Sequence, residues 1–208
     1  EDVADLAYLE ERLPSAAARA QEGIDRVSTI VKAMKAFSHS GSSEAAPADL
    51  NEAIRTTLVV ATHEYKYVAD VETDLAAGLP LVHCTIGELN QVFLNLVVNA
   101  AHAIGDAREG TESRGTIRVS TRLDGDDVVV SVADDGTGIP EHVRDRIFDP
   151  FFTTKTVGKG SGQGLALARS VVERHGGSLA FDTEPGRGTT FHVRVPIGAA
   201  PSQLESAA

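Results

Sequence analysis

The chain has 208 residues, of which 42% are hydrophobic and 24% charged, and its formal net charge is −11. This is the composition of an ordinary soluble protein; the apolar runs fall well short of the roughly 20 residues that a membrane span needs, and no signal-peptide pattern opens the chain. The negative charge argues against general binding to nucleic acid or anionic membranes, because both need basic patches. Any anionic ligand must therefore be held locally. The single cysteine, Cys84, excludes an internal disulfide framework and fits a reducing compartment.

The N-terminal part, residues 1–40, predicts a helical segment. Its main helix is expected from about Pro14 to Phe37, because a proline can begin a helix but kinks one that is already running. Apolar residues at 24, 27, 31 and 34 give a narrow seam that suits packing against another helix, so a dimer or hairpin surface is predicted. Residues 38–48 have linker composition, and the linker is placed at 41–47.

A pattern of helices and strands follows. Asp49 and Leu50 predict a short strand, and Asn51 is the predicted N-cap of a helix that runs to about Tyr65. The strongest hairpin signal in the chain is Asp124-Gly125. Two more helices are predicted at 88–104 and 164–174, and strands at 69–74, 79–83, 116–123, 128–133, 178–183 and 189–195.

These elements predict an α+β fold. It is a two-layer α/β sandwich, in which a mixed, mostly antiparallel sheet is covered on one face by helices. The domain is placed at 48–197, after the N-terminal helical segment. Residues 198–208 are small and polar and are expected to form a disordered tail.

The helix at 88–104 carries two asparagines beside its apolar stripe. Asn95 and Asn99 are one helical turn apart. A buried amide costs about 1–3 kcal/mol unless its hydrogen bonds are satisfied, so this spacing needs either a structural network or a ligand. Taken alone, the helix leaves both interpretations open.

Two glycine-rich stretches carry the remaining chemistry. Asp134-Asp135-Gly136-Thr137-Gly138 directly follows a strand; its glycines let the backbone approach a ligand, and its acid can accept hydrogen bonds from a planar amine. An aromatic cluster, Phe148 to Phe152, leads into Gly158 to Leu165, which opens a helix where free amides and the helix dipole bind phosphate. This second stretch is not a P-loop, because Gly158-Lys159 is followed by glycine. It is not a dinucleotide fingerprint either, because it follows an aromatic loop and not a strand.

In this order, the blocks resemble the ATP-binding catalytic domain of sensor histidine kinases, whose Bergerat (GHKL) fold is shared with gyrase, Hsp90 and MutL. Asn95-x-x-x-Asn99 resembles the N box, Asp134-x-Gly136-x-Gly138 the first glycine box, Phe148 to Phe152 the F box, and Gly160-x-Gly162-x-Gly164 the second glycine box. Gly186-Arg187-Gly188-Thr189 resembles the motif before the final strand. The resemblance covers about residues 48–196.

The resemblance implies two cofactors, ATP and Mg²⁺, and a role for each block. Asn99 would coordinate Mg²⁺, Asn95 would support it as a second catalytic residue, and Asp134 would read the adenine amino group. Residues 148–163 would form a lid over the nucleotide. The other residues that would bind the cofactor are His102, Gly136, Gly138, Ile139, Phe151, Lys155, Lys159, Gly160, Ser161, Gly162, Gln163, Gly164, Leu165 and Thr189. For His102, Lys155 and Lys159, an ordinary solvated side chain is the alternative.

One position separates the branches of this fold. In the branches that hydrolyse ATP, a glutamate four residues before the magnesium asparagine activates water, whereas here Asn95 has no basicity. The site is therefore expected to hold ATP for transfer and to hydrolyse it poorly. Gln163 and Ala103 depart from the family pattern, in which a leucine and an aromatic residue are common at these places.

Residues 22–37 resemble the second helix of the hairpin through which these kinases dimerise and accept phosphate. None of the seven histidines is interpreted as a helical phosphoacceptor. The chain is therefore expected to be a fragment of a longer kinase that does not phosphorylate itself.

The resemblance implies transfer of the γ-phosphoryl group of Mg-ATP to a histidine on an upstream helix, and relay to an aspartate of a response regulator. A homodimer through the hairpin and a cytoplasmic location are expected, either as a free protein or within a membrane-anchored kinase. No nucleic acid and no direct membrane contact are expected for this segment. The alternatives are an ATP-hydrolysing clamp and a degenerate nucleotide-sensing dimerisation module.

Overall fold

The computed structural model describes residues 44–154 and 162–198. The predicted N-terminal helical segment and the tail after residue 198 lie outside these ranges. In chain order, the elements are β1 (Ala46–Ala48), α1 (Leu50–Val60), α2 (Thr62–Tyr65), β2 (Ala69–Leu75), β3 (Val82–Cys84), α3 (Ile86–Ala107), β4 (Gly115–Asp124), β5 (Asp127–Asp134), a 3-10 helix (Glu141–Arg146), α4 (Gly164–Arg174), β6 (Ser178–Glu184) and β7 (Gly188–Pro196).

Five strands form the main sheet, in the order β2-β4-β5-β7-β6. Strand β2 runs parallel to β4, and the other neighbours are antiparallel. Val119 of β4 lies opposite Val132 of β5, and Val130 of β5 lies opposite Val193 of β7. All four valines are buried, so these pairs form the inner surface of the sheet. The predicted mixed, mostly antiparallel sheet is confirmed.

Helices cover only one face of this sheet in the described part of the chain. The apolar stripe of α3 is buried against the sheet, as the spacing of its apolar residues at three- and four-residue steps predicts. On the opposite face, Arg118 and Arg122 of β4 are exposed, and Arg118 pairs with Glu72 of β2 at 2.7 Å. This is the two-layer sandwich expected from the sequence.

The start of the domain differs from the prediction. The strand lies at Ala46–Ala48, across the boundary between the predicted linker and the predicted domain, and pairs with β3 in a separate two-stranded sheet. Asp49 is the N-cap of α1, because its carboxylate accepts hydrogen bonds from the amides of Asn51 (2.8 Å) and Glu52 (3.2 Å). The predicted strand at Asp49 and Leu50 and the predicted N-cap at Asn51 were therefore wrong.

Asn51 lies inside the domain and not at its surface. Its side-chain amide donates to the carbonyl oxygen of Ala76 (2.9 Å), and its oxygen accepts from the hydroxyl of Thr121 on β4 (2.9 Å). These bonds attach α1 to the sheet. The helix expected to run to Tyr65 is interrupted at Ala61, so that α2 is a separate short helix. None of the helices in residues 44–154 and 162–198 is long and apolar enough to cross a membrane.

Candidate functional site

One face of α3 lines a cavity of about 470 Å³. Asn95, Asn99, His102 and Asp106 follow one another at steps of three or four residues, so they share this face over about 16 Å of helix. The other walls are the loop after β5, the 3-10 helix, residues 152–154, the start of α4, and Thr189 and Phe191 of β7. The cavity is therefore built from segments that are far apart in the sequence.

At one end of the cavity, Asn95 meets the first residue of α4. Its side-chain amide donates to the carbonyl oxygen of Gly164 (3.2 Å), and its side-chain oxygen accepts from Gln91 (3.2 Å). Gly162, Gly164 and Leu165 also line the cavity, and the first turn of α4 has no acidic side chain. The positive end of a helix dipole, with backbone amides that have no partner within the helix, therefore borders this end.

At the other end, Asp134 places a carboxylate at the end of β5. Its Oδ1 accepts from the amides of Gly136 (2.9 Å) and Thr189 (3.3 Å). Burial is the main cause that raises the pKa of this carboxyl from 3.8 to about 6; the nearby charge of Asp135 raises the pKa further, while the two amide hydrogen bonds lower it. The cavity thus contains a carboxyl that is partly withdrawn from water.

Glycines allow the loop after β5 to lie directly on α3. A Cβ on Gly136 would be 2.5 Å from the carbonyl carbon of Ala103, and the amide of Thr137 donates to the Ala103 carbonyl oxygen (3.2 Å). Gly138 has φ +66°, and a Cβ there would collide with the carbonyl oxygen of Glu184. Ala103 lies eight residues after Asn95, so the loop after β5 contacts α3 about 12 Å along the helix from Asn95.

Arg108, the residue after α3, also holds the loop after β5 in place. Its guanidinium contacts the Asp135 carboxylate at 2.7 Å and the Asp135 carbonyl oxygen at 3.1 Å. The second carboxylate oxygen of Asp135 accepts from the amide of Thr116 (2.9 Å). The end of β5, and with it Asp134, is thereby fixed to the end of α3.

Residues 85–199, more than half of the chain, match the family of histidine kinase-, DNA gyrase B- and HSP90-like ATPases. The chain belongs to this family. It is an ATP-binding catalytic domain of the kind found in sensor histidine kinases, as the resemblance implied. The expected Bergerat fold is confirmed as well.

Sensor kinases are among its relatives. Sensor kinase CckA of Brucella abortus is 31% identical over 184 residues, which are 85% of this chain and 20% of that protein. Sensory histidine kinase/phosphatase NtrB of Rhizobium meliloti is 34% identical over 181 residues, 83% of this chain and 47% of that protein. The chain thus spans less than half the length of these relatives.

Solved structures of histidine kinases are also similar to this chain. The catalytic domain of histidine kinase ThkA has a TM-score of 0.63 and 31% identity, over 74% of this chain and 96% of that chain. Full-length ShkA in complex with AMPPNP has a TM-score of 0.62 and 26% identity, over 90% of this chain and 40% of that chain.

Most of the predicted site residues that the structure describes lie together around the cavity of this ATP-binding domain. They are Asn95, Asn99, His102, Asp134, Gly138, Ile139, Gly162, Gly164, Leu165 and Thr189. Gly136 does not line the cavity, but it packs directly against Ala103, which does. Gln163 is not in the lining either. Lys155, Lys159, Gly160 and Ser161 lie outside the described residues.

Phe151 does not line the cavity, and its predicted contact with the nucleotide stays a prediction. The residue is 72% exposed, and its backbone has φ +66° and packs against Gly162, where no Cβ would fit. Phe152 lines the cavity in its place, and the guanidinium of Arg146 lies 4.4 Å from the centre of its ring. The two adjacent phenylalanines therefore have different environments.

Several lining residues were not predicted. Leu94 and Val98 each precede an asparagine by one residue, so the helical period could have identified them. Val143 and Ile147 line the cavity from the 3-10 helix and the residue after it, where no regular apolar period marks an element.

His63 precedes an acidic residue, Glu64, within α2. The expectation that His63 is not a helical phosphoacceptor stays a prediction. The helix has only four residues, and the carboxylate of Glu64 lies 4.0 Å from Nε2 of His102.

Proposed function

We propose that the chain is the catalytic part of a two-component sensor histidine kinase, which holds Mg-ATP and transfers its γ-phosphoryl group to a histidine on an upstream helix. The observation that carries this proposal is the cavity, which has a partly buried acceptor, Asp134, at one end and the start of α4 at the other. A nucleotide needs both, because hydrogen bonds read its base while amides and a helix dipole hold its phosphates.

Asp134 is the residue that would recognise the base. Its Oδ1 already accepts two amide hydrogen bonds, which fixes the orientation of the carboxylate. The adenine amino group would donate to this carboxylate, whereas guanine has an acceptor oxygen at the same place and would be repelled. Ile139, Val143 and Ile147 supply apolar wall beside it, which suits a flat base.

The start of α4 would hold the phosphates. Gly162 and Gly164 line this end, and their lack of side chains lets an anion approach the backbone. His102 and Asn99 lie on the α3 side of the same cavity. A protonated His102 could contact the phosphates, and its present contact with Glu64 at 4.0 Å is long enough to be replaced.

The residues of the cavity fit a magnesium ion that arrives with the phosphates. Mg²⁺ prefers oxygen ligands, keeps several waters and is usually bound through one or two protein groups together with substrate phosphates. Asn99 lines the cavity, and its side-chain oxygen would be such a protein ligand. No group of three or more His, Cys, Asp or Glu side chains suited to a metal occurs within residues 44–154 and 162–198, so the protein part of the site would be small. When bound, Mg²⁺ would neutralise phosphate charge.

The chain itself would contribute position and charge stabilisation to the transfer. The acceptor imidazole nitrogen forms a bond to the γ-phosphorus while the bond to the bridging oxygen breaks and ADP leaves. Asn95 supports transfer over hydrolysis, because its amide has no basicity and is engaged with Gly164 and Gln91. Transfer of the phosphoryl group to a histidine needs no residue that activates water as a base.

The full kinase would have partners beyond this domain. We infer a response regulator receiver domain as the phosphate acceptor, and a homodimer through the helical hairpin to which residues 22–37 would belong. The names of the relatives as sensor kinases support both. A cytoplasmic location is part of the same proposal.

The test is to incubate the purified chain with Mg²⁺ and γ-labelled ATP and to follow protein-bound label and free phosphate together. We expect bound ATP without hydrolysis or transfer. Acid-labile label should then form on an added hairpin that carries an acceptor histidine. Rapid phosphate release would contradict the proposal and would indicate that the protein belongs to the branch of the fold that hydrolyses ATP. Label on the chain alone would contradict the need for an upstream acceptor, and His63→Ala would show whether His63 carries it.

Two variants test the site. Asn99→Asp should lose magnesium-dependent binding, and Asp134→Ala should lose the preference for adenine over guanine nucleotides. Asp74→Asn is the matched control, because Asp74 is an exposed residue of the edge strand β2. Unchanged ATP affinity in both site variants would refute the assignment of these residues.

A further inference from the structure

His175 is completely buried where α4 ends, and both of its ring nitrogens have partners. Nδ1 lies 2.8 Å from the carbonyl oxygen of Val171, and Nε2 lies 3.1 Å from the amide nitrogen of Thr85. A carbonyl oxygen can only accept and an amide can only donate. The ring proton is therefore on Nδ1, and Nε2 accepts from Thr85.

The two hydrogen bonds of His175 differ in what they connect. The bond to Val171 stays within α4, where it supports the end of the helix. The bond from Thr85 comes from the N-cap position of α3 and joins the two helices. Next to it, Arg174 donates to Glu88 of α3 at 2.8 Å. The end of α4 is thus attached to the start of α3.

Helix α4 connects this attachment to the cavity. It has 11 residues, so its two ends are about 16 Å apart, and its first residue accepts the hydrogen bond from Asn95. A single short helix moves largely as a rigid unit. A change at His175 would therefore displace the start of α4, which lines the cavity.

We propose that His175 is a positioning residue for the triphosphate half of the nucleotide. It holds α4 against α3 at the end remote from the cavity, and so places the backbone amides at the start of α4. Binding of the adenine base should not depend on His175. Asp134, which would recognise the base, is held by Gly136, Thr189 and the neighbouring contacts of Arg108. This inference rests on the proposed binding of the phosphates at the start of α4.

Two substitutions separate the bonds. In His175→Gln, the side-chain oxygen can reach the position of Nε2 and accept from Thr85, so the link between the helices is kept. In His175→Asn, the shorter amide can still donate to Val171, but the link to Thr85 is lost. Val172→Ala is the matched control, because Val172 is fully buried on the same turn of α4 and makes none of these hydrogen bonds.

The measurements are the affinities of the full chain for AMPPNP with Mg²⁺ and for adenosine, together with the melting temperature. All three variants should melt at lower temperature. His175→Asn should bind AMPPNP about tenfold more weakly, the scale of one lost buried hydrogen bond, and should bind adenosine as the unchanged chain does. His175→Gln and Val172→Ala should stay within about threefold of the unchanged chain for both ligands.

Equal losses for adenosine and AMPPNP in His175→Asn would overturn the proposal, because they would indicate general destabilisation. So would an AMPPNP loss in Val172→Ala or His175→Gln as large as in His175→Asn. If the unchanged chain binds adenosine but gains no affinity from the phosphates, the proposed phosphate site fails. That outcome is distinct from a failure at His175, in which the unchanged chain gains affinity from the phosphates and so does His175→Asn.

Discussion

The side-chain amide of Asn95 donates a hydrogen bond to the main-chain carbonyl oxygen of Gly164, and so joins the middle of α3 to the first residue of α4. Its oxygen accepts from Gln91 one turn earlier. The sequence left a structural network and a ligand site as alternatives for this asparagine. The structure shows the network and places Asn95 in the wall of the cavity, while its contact with a ligand stays a prediction.

Asn95→Asp should weaken ATP binding by about tenfold, the scale of one lost hydrogen bond. A carboxylate cannot donate to the carbonyl oxygen of Gly164, and its charge would repel the phosphates. Titration calorimetry with ATP and Mg²⁺ measures the change. Gln91→Ala is the control, since it removes only the neighbour that donates to Asn95, and its affinity should fall less than about threefold. Equal losses in both variants would contradict a specific role for the bond to Gly164.

The raised pKa of Asp134 makes a prediction about stability. The folded protein holds this proton up to about pH 6, whereas the unfolded chain releases it near pH 3.8. The contribution of the group to stability is therefore greatest below about pH 4 and is lost as the pH rises through about 6. Asp134→Asn keeps an oxygen for the amides of Gly136 and Thr189 but has no charge to bury.

Asp134→Asn should consequently raise the melting temperature of the ligand-free chain by about 3–6 °C near pH 8, and the gain should disappear near pH 4. Thermal unfolding over this pH range is the measurement. A gain that is the same at every pH would mean that the buried charge is not its cause. Asp74→Asn, at an exposed carboxylate, should leave the melting temperature unchanged throughout.

The same proton should control recognition of the base. Below about pH 6, the Asp134 carboxyl is protonated and loses its strength as an acceptor for the adenine amino group. Affinity for adenosine should fall by up to about tenfold for each pH unit below this value. Adenosine is the right probe, because it has no phosphates that titrate in this range. A pH-independent affinity would exclude Asp134 as the acceptor, and Asp134→Asn should bind weakly at every pH.

Elements with strong local signals were predicted well. Helix α4 lies at the predicted residues, and β4 and β5 extend the predicted strands by one residue at each end. The periodic stripe of α3 likewise predicted its buried face, although the helix starts at Ile86 and continues to Ala107.

The errors have non-local causes. Asn51 was predicted as an N-cap, but its side chain instead joins Ala76 and Thr121, which are 25 and 70 residues away. Nothing near Asn51 in the sequence reveals these partners. Phe151 and Phe152 are equivalent as a sequence pair, yet Phe151 is exposed with its backbone against Gly162, whereas Phe152 lines the cavity. The order of the glycine and asparagine blocks predicted residues that lie around one cavity, while contacts between distant segments decided which neighbours line it.

Two glycines near the end of α3 give the last prediction. Gly136→Ala places a Cβ 2.5 Å from the carbonyl carbon of Ala103, so the loop after β5 must move away from the helix. We expect a loss of about 1–3 kcal/mol in the free energy of unfolding, the usual cost of overpacking, and weaker ATP binding because Asp134 moves with the loop.

Gly105→Ala is the matched control within α3. Its Cβ would find only Val68 Cγ1, at 3.7 Å, and alanine favours the helix, so stability should rise by about 0.5–1 kcal/mol with unchanged ATP affinity. Urea unfolding and ATP titration of the pair separate the two effects. If Gly136→Ala were as stable as Gly105→Ala and bound ATP normally, the close approach of the loop to Ala103 would not be what holds Asp134 in place.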